Sequence, residues 1–162
     1  MKLKNKIAAI CLGLITLSCK PVSLSTKTEQ TGVKQTPLFS KGKKIESKNF
    51  TGTAYLEMLV LSDSINPSYI GNVTFEPGAR TNWHIHSNGQ ILLVTNGKGF
   101  YQEKGSPIKT ILKGDVIKCT PKVEHWHGAT ATETMTHIAI GVNTNKSSVI
   151  WLQPVTDAEY RP

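Results

Sequence analysis

From about residue 53 onward, apolar and polar side chains alternate in short runs, the period-two signature of strands with one face in a core. The runs are "TAYLEMLVL", "YIGNVTFE", "QILLVTNG", "GFYQEKG", "IKTILKG", "DVIKCTP", "TMTHIAIGV" and "SVIWL". Between them stand Gly, Pro, Asn and Asp in turn-forming combinations, among them Asn96-Gly97 and Lys113-Gly114-Asp115. On this reading "QILLVTNG" and "GFYQEKG" are separate strands joined at Asn96-Gly97. No segment before the last ten residues has a 3.6-residue apolar period. The pattern therefore predicts an all-β sandwich or barrel. Only "TDAEY" reads as helical, with Thr156 and Glu159 spaced as a capping box.

The N-terminal stretch follows different rules. "MKLKNKIAAICLGLITLSCK" places Lys2, Lys4 and Lys6 before an apolar run from Ile7 to Leu17 and then Ser18-Cys19. This is the layout of a secretory signal, and eleven apolar residues are too few to span a bilayer. The Ser-Cys step also resembles the lipobox of bacterial lipoproteins, which would make Cys19 a lipidated N-terminus. Ordinary secretion and an uncleaved anchor are the alternatives; each places the rest of the chain outside the cytoplasm, as a periplasmic or envelope lipoprotein or a secreted protein. Residues 20–37 are rich in Ser, Thr, Lys and Gln and read as a flexible tether. The expected organisation is signal 1–19, tether 20–37 and one β-domain 38–162.

Charge would point to nucleic acid were it not for where it lies. The chain carries a formal +8, and residues 1–48, with ten lysines and two glutamates, supply all of it. Residues 49–162 balance seven lysines and two arginines against nine acids. A nucleic-acid-binding domain is not expected, and membrane contact only through the N-terminal anchor. With Cys11 and Cys19 in the signal, Cys119 is left alone and reads as a buried thiol sharing a strand face with Ile117.

Candidate chemistry is concentrated in "TNWHIHSNGQ". His84 and His86 are two apart, so on a strand both face the same way, as two ligands of one ion must. For such a pair alone, solvent-facing polar residues would be the simpler reading. The surrounding spacing changes that. Gly78 is followed after five residues by His84, then by His86, by Gln90 after three more and by Gly97 after six; Gly114 and Asp115 precede His125 by eleven and ten, with Pro121 between.

These spacings resemble the two half-motifs of the cupin superfamily. Gln90 stands where glutamate is usual, Lys122 where glycine is usual and Ala129 where asparagine is usual. Within cupins, "VTFEPGARTNWHIHSNGQILLVTNGKGF", "EHWHGATATETMTHIAI" and "VTDAEY" resemble small single-domain cupins related to carboxymuconolactone-decarboxylase-associated proteins, which include bacterial (R)-mandelonitrile lyases with a manganese site. The resemblance implies a small jelly-roll β-barrel in which His84, His86, Gln90 and His125 hold a metal, most readily Mn(II), with Fe(II), Ni(II) or Zn(II) also compatible with such ligands. It also matches His127 and His137 to further histidines of the pattern, candidates for catalysis.

The residues themselves add detail. Three neutral imidazoles and an amide oxygen leave a divalent ion its full charge, where a glutamate would halve the excess, so Gln90 favours stronger Lewis acidity. His127, two from His125, is a candidate base or hydrogen-bond donor, or else a rim residue. His137 is a core histidine or a pocket base. Trp83, Trp126, Phe75 and Phe100 read as core or interface residues, Arg80 as a salt-bridge partner or a carboxylate anchor, and Asp115 and Glu76 as turn residues. The resulting expectation is a metal-dependent lyase for a small hydroxynitrile or aldehyde. Alternatives are an Fe-dependent dioxygenase, an isomerase or lyase of a hydroxy or keto acid, and a binding or sensing module. Small cupins usually pair through sheet edges, so a homodimer is expected, or a homotetramer.

Overall fold

The computed structural model describes residues 36–144 and 149–161. The signal segment with Cys19, and most of the tether, lie outside the described residues. Among the described residues, twelve strands form a single curled sheet: β1 (Lys43–Lys44), β2 (Phe50–Thr51), β3 (Ala54–Val60), β4 (Tyr69–Phe75), β5 (Arg80–Thr81), β6 (His84–His86), β7 (Gln90–Glu103), β8 (Lys109–Leu112), β9 (Val116–Cys119), β10 (His125–Ala129), β11 (Met135–Gly141) and β12 (Val149–Trp151). The main path runs β1-β3-β4-β11-β7-β10-β5-β2, with β6 joining β10 to β12 and with β8 and β9 beside β7. Every pairing is antiparallel. The fold is the all-β curled barrel expected.

Strand β7 turns the corner between the two halves of that sheet. Its first residues pair with β9 and β11, and its last with β8 and β10. The predicted break at Asn96-Gly97 is absent: the strand continues through both residues. What the dipeptide marks is a bulge, because Val94 faces His137 and Asn96 faces Thr136, leaving Thr95 as an extra residue. Gly97 has φ of 72°, and a Cβ there would lie 1.9 Å from the Thr134 carbonyl oxygen. Left-handed freedom and closeness to a neighbouring backbone, both found in turns, serve here to bend one strand.

Alternation decides what is buried. On β9, Ile117 and Cys119 face inward and Val116 and Lys118 outward, and burial pushes the Cys119 thiol up to about 12, so it stays protonated. Ala54, Val73, Phe75, Leu92, Val94, Tyr101, Ile111 and Met135 join them in the main core. A second cluster, Trp83, Phe100, Trp126 and Val155, packs behind the β7–β10 half. All four aromatics read as core are thus buried. The C-terminal "TDAEY" makes a single hydrogen-bonded turn, not a helix. Its capping box is nevertheless formed: the Glu159 amide donates to Thr156 Oγ1 at 3.2 Å and the Thr156 amide to Glu159 Oε2 at 2.9 Å.

Candidate metal centre

Strand register brings the predicted ligands together. His84 lies opposite His125 where β6 meets β10, and their rings are 4.3 Å apart at the centroids. His86 follows two residues later on the same face, 5.2 Å from His84 and 5.6 Å from His125. Ligand nitrogens of the three lie within 4.8 Å of one another, close to the span of one ion between two bonds of about 2.1 Å. Gln90 opens β7 and is buried beside them; its Nε2 donates to the Tyr69 hydroxyl at 3.4 Å. Three buried histidines can therefore hold a metal, with an amide oxygen at hand.

The hydrogen bonds fit a cation. His84 Nδ1 donates to the Asn82 carbonyl at 2.9 Å and His125 Nδ1 to the Val123 carbonyl at 3.0 Å. Each bond fixes the tautomer that leaves Nε2 with a lone pair, the outer-shell arrangement common behind ligating imidazoles. His125 Nε2 and Gln90 Oε1 are both buried and have no hydrogen-bond partner. A buried acceptor left unpaired costs about 1–3 kcal/mol, which a divalent ion bound by both atoms would offset. Burial, reinforced by neighbouring imidazoles, holds His84 well below the ordinary histidine range and His86 at about 4. His125 is lowered by burial too. Neutral imidazoles are the form a metal needs.

The other two of the chain's five histidines stand behind the first three. His127 follows His125 on β10 and is buried; its Nδ1 lies 3.3 Å from Nε2 of His137, which β11 delivers from the opposite half of the sheet. Phe75 meets His127 edge-on at 5.8 Å. Desolvation lowers both, His137 to about 4. His127 is thus no rim residue, and His137 belongs to the pocket wall.

His84, His86, Gln90, His127 and His137 line a cavity of about 130 Å³. Its remaining wall is mostly apolar and includes Phe50, Leu56, Met58, Phe75, Val149 and Trp151. Tyr69, Phe50 and Trp151 were not singled out from the sequence. They come from β4, β2 and β12, whose approach depends on the fold, and only the alternation of "SVIWL" hinted that Val149 and Trp151 share a face. Arg80 is absent from the wall. Its guanidinium is committed to the Val155 carbonyl at 2.9 Å and the Asp157 carboxylate at 2.7 Å, so it is the structural ion pair and not the carboxylate anchor. Asp115 accepts from the Leu112 amide within its turn, and Glu76 pairs with Lys41. A larger hollow of about 450 Å³ lies between residues 36–41 and the Thr and Asn side chains of β4 and β7. It contains none of the predicted site residues.

Comparison with known proteins agrees with this geometry. Residues 71–141 match the Cupin domain family. Over 114 residues the chain is 44% identical to an (R)-mandelonitrile lyase of Granulicella tundricola, covering 69% of this chain and 86% of that protein. The chain belongs to the cupin family. A cupin-like protein from Thermotoga maritima superposes on this cupin with a TM-score of 0.76 at 46% identity, over 78% of this chain and 96% of the other. A DMSP lyase from Ruegeria pomeroyi shares the fold at a TM-score of 0.55 and 14% identity, over 64% and 54% of the two chains. The kinship with a lyase supports an enzyme.

Proposed function

We propose that this cupin is a divalent-metal lyase that cleaves a small α-hydroxynitrile to an aldehyde and hydrogen cyanide, or forms it in reverse, with His84, His86, Gln90 and His125 as ligands and Mn(II) as the first choice of ion. The observation that carries the reading is a pair of buried acceptors without partners, Gln90 Oε1 and His125 Nε2, together with a linked histidine pair, His127 and His137, in the cavity that Gln90, His84 and His86 also line. The 44% identity to a protein named (R)-mandelonitrile lyase supports it.

A metal ion in this neutral ligand set keeps its +2 charge and supplies Lewis acidity toward the substrate oxygen. The protein's own groups handle the proton. His127, neutral and held by His137 through Nδ1, takes the hydroxyl proton at Nε2. The C–C bond to the nitrile then breaks, its electron pair leaving with cyanide as the carbonyl forms. Cyanide takes the same proton from His127 and departs as hydrogen cyanide, restoring the neutral imidazole. The mostly apolar wall leaves the substrate's body few competing polar partners.

The test is metal analysis of protein purified without added metal, followed by Mn(II) loading and cyanide release from racemic mandelonitrile. Wild type should release cyanide with preference for one enantiomer. Gln90→Glu should retain the ion, because a carboxylate binds it more tightly, yet turn over at least tenfold more slowly because the site's charge falls to +1. His84→Ala should lose metal and activity together. Metal-loaded wild type that releases no cyanide would end the proposal.

A further inference from the structure

We infer that Trp151 sets the upper size of what this cavity accepts, limiting it to one polar head carried on an apolar body of a single ring. The inference rests on the metal-and-histidine reading of the cavity.

Three observations carry it. The first is volume: about 130 Å³ is close to the roughly 150 Å³ at which an apolar protein cavity takes up benzene, so the space within the wall suits about one ring and a larger body has to reach past the wall. The second is placement. Strand β12 pairs with β6 so that Val149 lies opposite His86 and Trp151 opposite His84. Being two apart, both side chains enter the cavity while Ile150 points outward, 48% exposed. The indole lies 4.9 Å from the His84 ring at 36° and 5.6 Å from Phe50. The third is independence from the core. Phe75 belongs to the main core cluster, and Trp83 and Trp126 to the second, but Trp151 belongs to neither. Truncating it therefore enlarges the cavity without removing a core side chain.

Body and head are thus recognised by different parts of the chain. The histidines and Gln90 serve the polar head, whereas the Phe50–Trp151 side of the wall is mostly apolar, with the Thr81 hydroxyl opposite Phe50 its nearest polar neighbour in the strand register.

The experiment uses alcohols that bind without reacting, so that turnover is not the readout. Benzyl alcohol and 2-naphthalenemethanol are titrated calorimetrically into Mn(II)-loaded wild type, Trp151→Phe and Trp151→Ala, with metal content and circular dichroism recorded for each. Wild type should prefer benzyl alcohol at least tenfold. Trp151→Ala should shift the ratio toward the naphthyl alcohol by at least tenfold with metal content unchanged, and Trp151→Phe should fall between. An unchanged ratio in a folded, metal-loaded Trp151→Ala overturns the inference. Should that variant fail to fold or to hold metal, Trp151→Phe decides: a shift of severalfold supports the inference and none overturns it. Cyanide release is scored separately. A size preference that follows Trp151 without any cyanide release removes the lyase reading and leaves the size limit standing, and cyanide release with no dependence of size on Trp151 does the reverse.

Discussion

Lys122 is held at φ of 63°, a left-handed conformation that a side chain with a Cβ disfavours by roughly 1–2 kcal/mol. It is the third residue of the turn in which the Val123 amide donates to the Thr120 carbonyl at 3.3 Å, with Pro121 before it, the position at which such turns favour glycine. The strain lies close to the metal centre, because the Lys122 amide donates to the His86 carbonyl at 3.0 Å. Lys122→Gly keeps that bond and removes the Cβ. After the added chain entropy of glycine is subtracted, the expected gain is up to about 1 kcal/mol, seen as a higher urea midpoint with unchanged slope. A loss of stability would show that the lysine side chain makes a compensating contact. At this scale the site was largely legible in the sequence. His84, His86, Gln90 and His125 were named through the cupin resemblance, which their spacing carries, because strand periodicity and motif spacing are local quantities. Tyr69, Phe50 and Trp151 were not, because their closeness to the histidines is created by register between strands far apart in the chain.

At the scale of elements, the C-terminal segment decides whether the cavity has its last wall. Strand β12 is followed by backbone bonds between Trp83 and residues 152 and 153, and then by Arg80, which donates twice to the Val155 carbonyl and lies under the Tyr160 ring at 4.4 Å. The Arg80 side chain is 6% exposed, whereas its partner Asp157 is 86% exposed. The two halves of this ion pair should therefore differ in mutational cost. Asp157→Asn is expected to change stability by no more than about 1 kcal/mol, as for exposed pairs. Arg80→Met strips a buried carbonyl of its donors and should cost about 2–3 kcal/mol. Denaturant titration of both variants measures the difference, and equal effects would place the importance in the carboxylate. Elements were less legible than residues. Asn96-Gly97 has the composition of a hairpin turn and "TDAEY" that of a helix start, yet one lies inside a strand and the other in a lone turn. In each case the local signal was physically real, a left-handed glycine and a capping box, but the tertiary partners determined what it would serve.

Over the whole molecule, the five histidines make the metal-free fold sensitive to acid. His86 and His137 are both held at about 4 by burial, against about 6.5 for an exposed histidine. Between those values the unfolded chain binds protons that the native chain does not, so stability is fully present above about pH 6.5 and falls as pH drops toward 4. At full effect each contributes on the order of 3 kcal/mol, with His84, His125 and His127 shifted in the same direction. Thermal unfolding of chelator-treated protein should be nearly flat from pH 8 to 7 and drop steeply below 6.5. Added Mn(II) should move the drop to lower pH, because only neutral imidazoles bind the ion. A flat profile down to pH 4.5 would mean that the histidines are not buried as the fold requires.

The position of β12 also fixes an order of events in synthesis. The ligand positions end at His125, whereas the last part of the wall over them, Val149 and Trp151, comes later in the chain, so a growing chain carries all four candidate ligands before it carries the last residues that enclose them. At about 5–20 residues per second, the interval is roughly one to five seconds. During that time an ion could reach the histidines from solvent without passing Trp151, and the roof would then close over a site already filled.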